Sequence, residues 1–213
     1  MGFILIYFKD EETSINIFAQ IIDQTLQKIL ENNITYINVL FYKLNRLLQI
    51  YVPEVAEHLK QLKIEAGHFS TPWFLTIFTS NCFSSRGYGE IIYEIWDIYL
   101  SQRWKGMFKI IIVIFQFYEE TILKMKFDEL MSFLNNLVKS EFYQSKEIIK
   151  PNKEQQSETI KYLNLDKIQP LYGLKSKVDK IDLSEKLLDT LETEHKVMKG
   201  AINNIIDKQY QKK

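Results

Sequence analysis

The chain reads as an all-α protein, a bundle of amphipathic helices followed by an extended tail and a last helix. Two patterns predict this. Apolar residues recur at spacings of three and four from Ile15 to Val138, the repeat of helices with one buried face. The breaks between those runs carry helix-end chemistry, with Asn32-Asn33, Val52-Pro53 and Gly67 as examples. Composition agrees: 46% of the 213 residues are apolar, enough for a core, and 25% are charged.

The charges balance at 27 basic and 27 acidic residues, which leaves no basic stripe for nucleic acid. Cys82 is the single cysteine, so no intrachain disulfide forms and a reducing, intracellular compartment is favoured. His58, His68 and His195 are too scattered for a metal site. No apolar run approaches the ~20 residues that span a bilayer. The start has neither the basic region nor the cleavage site of a signal peptide. It also carries Ile6 where a myristoylation signal wants Ser or Thr.

Taken in order, Phe3, Ile4, Leu5, Ile6, Tyr7 and Phe8 form an apolar start that something must cover. Lys9-Asp10-Glu11-Glu12 opens a helix whose face is Ile15, Phe18, Ile21, Ile22, Leu26, Ile29 and Leu30. A second helix, about Tyr36 to Tyr51, carries Ile37, Leu40, Phe41, Leu44, Leu47 and Leu48. Pro53 suits the first turn of a third, where a missing N–H costs nothing, with Val55, Leu59 and Leu62 facing inward. Ser70 and Thr71 are capping candidates for a short helix, Trp73 to Ser80, apolar on nearly every side and so expected at the centre. A loop with Gly87 and Gly89 precedes a helix bearing Ile91, Ile92, Ile95, Trp96 and Tyr99. Ser101 to Gly106 reads as a connection, Met107 to Leu123 as a long buried helix, and Phe127 to Phe142 as one more amphipathic helix. The units predicted are a helical domain over residues 1–143, a polar linker or extended segment over 144–181, and a C-terminal amphipathic helix over 182–213. That helix opens on Asp182-Leu183-Ser184-Glu185, with the spacing of a capping box. Its stripe is Leu188, Leu191, His195, Met198, Ile202 and Ile205, fit to dock either on its own domain or on a partner.

Certain words within this pattern resemble a known family. Pro53-Glu54-Val55-Ala56-Glu57-His58-Leu59, Trp73-Phe74-Leu75-Thr76, Ile95-Trp96-Asp97 and Phe127-Asp128-Glu129-Leu130 stand in the order found in the C-terminal half of a TBC domain, the helical module of Rab-type GTPase-activating proteins. Glu94 departs from the basic residue usual before Ile-Trp-Asp. The resemblance implies a fold like the C-terminal subdomain of that module. It also implies two catalytic groups in the other half: an arginine in Ile-x-x-Asp-x-x-Arg and a glutamine in Tyr-x-Gln. The first stabilises charge developing on the γ-phosphate and the second orients the attacking water. Neither motif occurs here, and Met1-Gly2-Phe3-Ile4-Leu5 resembles the helix that follows the glutamine. Arg46, Arg86 and Arg103, the only arginines, lack the motif's neighbours and read as solvated or ion-paired.

The sequence therefore predicts no catalytic, cofactor-binding or metal-binding residue, and a protein that is not an enzyme. The expected role is that of a non-catalytic scaffold subunit, bound to protein neighbours of a larger assembly through Phe3, Ile4, Leu5, Tyr7, Phe8, Leu188, Leu191, Met198, Ile202 and Ile205. The alternatives are a Rab-type GTPase-activating protein whose catalytic half lies elsewhere, and an adaptor that binds a Rab-type GTPase without stimulating it.

Overall fold

A computed structural model of the chain describes residues 2–31, 36–81, 90–140 and 173–210. Among these residues every regular element is helical. The order is α1 (Gly2–Phe8), α2 (Glu11–Ile21), a π turn (Ile22–Leu26), α3 (Gln27–Glu31), α4 (Ile37–Tyr51), α5 (Pro53–Gln61), α6 (Ala66–Thr76), α7 (Glu90–Phe117), α8 (Glu119–Ile122), α9 (Phe127–Ser140), α10 (Leu174–Asp179) and α11 (Glu185–Tyr210).

α4 forms where the spacing predicts. Its stripe of Leu40, Leu44, Leu47 and Leu48 is fully buried, and α5, α6, α7 and α11 all pack on it. Pro53 sits in the first turn of α5. α1 ends with Lys9 in the left-handed region, its N–H bonded to the Leu5 carbonyl at 2.9 Å. Asp10 then caps α2 by accepting the Thr13 N–H.

α6 starts earlier than expected. Ser70 and Thr71 do not cap it; they lie inside it and donate their hydroxyls back to Ala66 O at 2.6 Å and Gly67 O at 2.9 Å. The cap is reciprocal, with the Glu65 side chain on the His68 N–H and His68 Nδ1 accepting from the Glu65 N–H. Pro72 is therefore internal, and its missing N–H leaves the chain one helical bond short at that turn. Trp73, Phe74 and Phe69 are buried, as a central helix requires, although Leu75 on the same helix reaches solvent.

The expected connection at 101–106 narrows to one reversal, with helix on both sides of it. Arg103 has φ 53 and ψ −136, and the two halves of α7 fold toward each other there. A Cβ on Gly106 would lie 2.9 Å from the carbonyl oxygen of Ile98 and 3.0 Å from the Ile98 side chain. Eight residues along a straight helix span ~12 Å, so this approach exists only because the chain doubles back. The second half, Met107 to Phe115, is buried on nearly every side and places Phe108 and Phe115 against Phe74 and Phe69. It stops at Phe117, before α8, so the predicted helix from Met107 to Leu123 is broken at Tyr118.

Of the predicted segment 144–181, residues 144–172 lie outside those described; α10 follows and packs on α7 with Leu174 and Val178 buried. Ser184, rather than Asp182, caps α11 by accepting the Leu187 N–H at 3.1 Å. The Asp182 carbonyl accepts the Tyr51 hydroxyl.

The first half of α11 docks on α4. Leu188 and Leu191 enter the core. Glu192 accepts from Lys43 at 2.8 Å and from Tyr36 Oη at 3.1 Å, and pairs with Lys196 at 3.1 Å. Lys43 is buried, so Glu192 neutralises a charge that would otherwise be stranded. Burial alone would raise the Glu192 carboxyl, but hydrogen bonds from Lys43 and Lys196, with the charge of Lys43, hold it at about 2. Glu194 adds a hydrogen bond from Tyr42 at 3.2 Å and an ion pair with Arg46 at 3.8 Å.

Two outcomes follow from this packing. Gly106→Ala should lower stability by roughly 1–3 kcal/mol, because backbone rather than a mobile side chain meets the added methyl; thermal unfolding by circular dichroism would show a drop of several degrees, and an unchanged midpoint would disprove the close approach. Glu192 has a carboxyl held below its ordinary value of 4.5, so its contribution is complete above that value and declines as pH falls toward about 2. Glu192→Gln should cost about 1–3 kcal/mol at neutral pH and flatten the dependence of stability on pH between about 5 and 2; chemical unfolding of both proteins across that range reads the difference.

Candidate functional site

The residues singled out as partner-binding separate into two groups in space. At the start of the chain, Phe3 and Ile4 are buried in the chain's own core. Phe3 lies 4.7 Å from the Trp96 ring and 5.8 Å from Tyr93. Tyr7 packs 5.6 Å from Tyr93 and donates its hydroxyl to the Asp97 carboxylate. Burial first, then the bond to and charge of Asp97, push the Tyr7 hydroxyl up to about 12, so it remains a donor at any physiological pH. Phe8 is half-buried against Tyr7, at 4.7 Å. The buried Ser14 hydroxyl donates to Asp10 O and lies 3.3 Å from Ile4 O, which ties α2 to α1. Much of the apolar start is thus covered by α7 and α2 of the same chain. What stays open on α1 and α2 is Leu5, Ile6 and Ile15, at 38%, 47% and 49% exposure. Of these, Ile6 and Ile15 were not among the partner-binding residues that the sequence predicted.

At the end of the chain the stripe divides in the middle. Leu188 and Leu191 are spent on the chain's own core, whereas Met198 and Ile202 are exposed; the Ile205 side chain lies outside the described residues. His195 stands at the division, 5.3 Å from the Tyr42 ring. Burial, and then the charge of Lys199, pull its pKa down, with Glu192 opposing.

The other singled-out groups have structural employment. Arg46 donates to Gln49 Oε1 at 2.7 Å and pairs with Glu194, while Arg103 forms the reversal in α7; Arg86 lies outside the described residues. His58 Nε2 lies 2.9 Å from the Met125 carbonyl and ties α5 to the turn before α9. Among the described residues no helix is long and apolar enough to cross a membrane. The feature that sequence reasoning missed is Lys43. Its only signal was a lysine inside a leucine stripe, and its partner is 149 positions away.

Comparison with known proteins places this architecture. The profile of the Rab-GTPase-TBC domain matches residues 1–123. The chain is 23% identical over 125 residues to Rab GTPase-activating protein tbc-11 of Caenorhabditis elegans, covering 59% of this chain and 13% of that protein. It is 26% identical over 123 residues to TBC1 domain family member 2A of Mus musculus, covering 57% of this chain and 13% of the relative. Over 98 residues it is 29% identical to GTPase-activating protein GYP5 of Saccharomyces cerevisiae, covering 46% of this chain and 10% of the relative. The aligned stretch is therefore a small part of each of these relatives. Their names overturn the expectation that the chain stands outside enzymes: relatives across animals and yeast are named as GTPase-activating proteins, and a scaffold role finds no support among them. With 123 of its 213 residues accounted for by the family profile, the chain belongs to the Rab-GTPase-TBC domain family.

Proposed function

We propose that this chain supplies the C-terminal half of a Rab-type GTPase-activating module, whose arginine and glutamine come from a catalytic half provided by a further stretch of polypeptide or a separate chain. The observation that carries this reading is the family match over residues 1–123, in a chain where neither Ile-x-x-Asp-x-x-Arg nor Tyr-x-Gln occurs. The geometry supports it. Leu5, Ile6 and Ile15 leave apolar surface open on the first helices, beside the buried Phe3 and Ile4. Covering such surface is worth about 25 cal/mol per Å², which gives a catalytic half a reason to dock there. Activation of a GTPase needs a cation for the charge on the γ-phosphate and an amide to hold the water, both placed to within about an ångström. In this reading the present chain contributes the rigid platform, and the docked half contributes both groups.

The test joins the two. The segment of the yeast relative that precedes its matched region is fused upstream of Met1, and GTP hydrolysis is followed with a panel of Rab-type GTPases. Acceleration on the order of a thousandfold or more is expected, lost when the fused arginine is replaced by alanine. Leu5→Glu with Ile6→Glu should abolish the gain while leaving the isolated chain folded, since both side chains are already exposed. A folded fusion that binds its GTPase yet leaves hydrolysis at the intrinsic rate would refute the proposal in favour of an adaptor.

A further inference from the structure

Three stretches far apart in the sequence meet at one concavity. Lys28 comes from α3, Tyr36 from the head of α4, and Glu192, His195, Lys196 and Lys199 from α11; together they line a cavity of about 520 Å³. Small-molecule sites commonly have volumes of ~300–1,000 Å³. The Lys28 ammonium lies over the Tyr36 ring, 5.5 Å from its centroid. Glu192 is the one carboxylate lining the cavity among the described residues. It is engaged by Lys43 at 2.8 Å and by Lys196 and the Tyr36 hydroxyl, each at 3.1 Å.

The charges here do not balance. Lys28, Lys196 and Lys199 line the cavity, and Lys43 stands behind Glu192. Against these four cations are Glu192 and Asp189, whose charge also acts on Tyr36. Four against two leaves a net charge of +2. A concave surface of one sign concentrates ions of the other. The lining cations are all lysines, compact point charges suited to phosphate; the planar fork with which arginine grips a carboxylate is not among them. A phosphate ester carries about −1.5 to −2 at neutral pH, so a ligand with such groups answers the excess, and the volume leaves room for the scaffold that joins them.

We propose that this cavity binds a small molecule bearing at least two phosphate groups, with Lys28 of α3 and Lys199 of α11 each taking one and Lys196 lending a third positive charge. The phosphates belong either to a free metabolite or to the headgroup of a membrane lipid; the chemistry recognised is the same. The site requires α11, which lies beyond residues 1–123 matched by the family profile. It stands whether or not the GTPase reading holds.

Calorimetry of the full chain with inositol trisphosphate, at near-physiological salt, should give a dissociation constant on the order of 10–100 µM. Lys28→Gln with Lys199→Gln, both at exposed positions, should weaken binding by about tenfold or more while the helical circular dichroism is kept. Lys60→Gln with Lys63→Gln removes the same charge at a different groove and should bind like the parent. The His195 pKa, pulled down by burial and then by Lys199, should rise when the ligand offsets Lys199, as read by proton NMR of the ring. Flotation with phosphatidylcholine vesicles, with and without phosphatidylinositol bisphosphate, separates the two sources. Vesicle binding that depends on Lys28 and Lys199 assigns the lipid headgroup, and binding of the soluble compound alone assigns a free metabolite. No binding to either probe, equal weakening by the Lys60 and Lys63 substitutions, or an unmoved His195 would each overturn the proposal.

Discussion

Burial of the leucine stripe on α4 is the constraint on which the rest of the structure depends. Leu40, Leu44, Leu47 and Leu48 are no more than 1% exposed, and α5, α6, α7 and α11 meet on them. A helix surrounded in this way has little room for a charge, yet it carries Lys43. The cost of desolvating that ammonium is offset only if an acid arrives with it, and the acid is Glu192, on the last helix. The buried lysine therefore selects the register of α11. Sliding that helix by one turn would strand the buried Lys43 and withdraw Leu188 and Leu191 from the core. Apolar packing decides that α11 docks; the ion pair decides where.

The second constraint is the reversal at Arg103. The two halves of α7 are both apolar, and a straight rod from Glu90 to Phe117 would span ~42 Å, beyond the reach of a core this size. Doubling back puts Trp96 and Tyr99 on one arm, and Phe108 and Phe115 on the other, into the same cluster. A non-glycine residue at positive φ is strained by about 1–3 kcal/mol, which the burial of Met107 to Phe115 offsets many times over. Gly106 is the accompanying requirement, because the arms meet where any side chain would strike the Ile98 carbonyl.

Helix identity was legible in the sequence wherever the three-and-four repeat was strong, as in α4, α5 and the arms of α7. What could not be read were features decided by residues far apart. Ser70 and Thr71 have cap chemistry, and only the Glu65–His68 pair, by capping earlier, draws them inside α6. Lys43 is an anomaly in one dimension and explained in three. The connection expected at 101–106 is present, but it shrinks to a single residue, Arg103, whose positive φ turns the chain without any glycine or proline at the turning position. The candidate surface was half legible. Hydrophobicity marked the apolar start, but periodicity within so short a run could not say that Phe3 and Ile4 face Trp96 and α2 while Leu5 and Ile6 face outward. In the last helix the stripe was continuous, and nothing local marked the place where α4 ends and support is withdrawn.

That division bears on how the proposed half module holds together. If the first eight residues depended wholly on a lost neighbour, the remaining domain would present a wide apolar face and aggregate. Instead Phe3 and Ile4 are covered in cis, Tyr7 is tied to Asp97, and the open remainder is a few side chains at the rim. A rim of that size permits docking without requiring it for folding. In the proposed composite module this separation has a mechanistic use. The platform folds on its own core, so the catalytic half has only to orient two side chains, and the binding energy at Leu5, Ile6 and Ile15 goes into placing them against the γ-phosphate rather than into completing an unfinished fold.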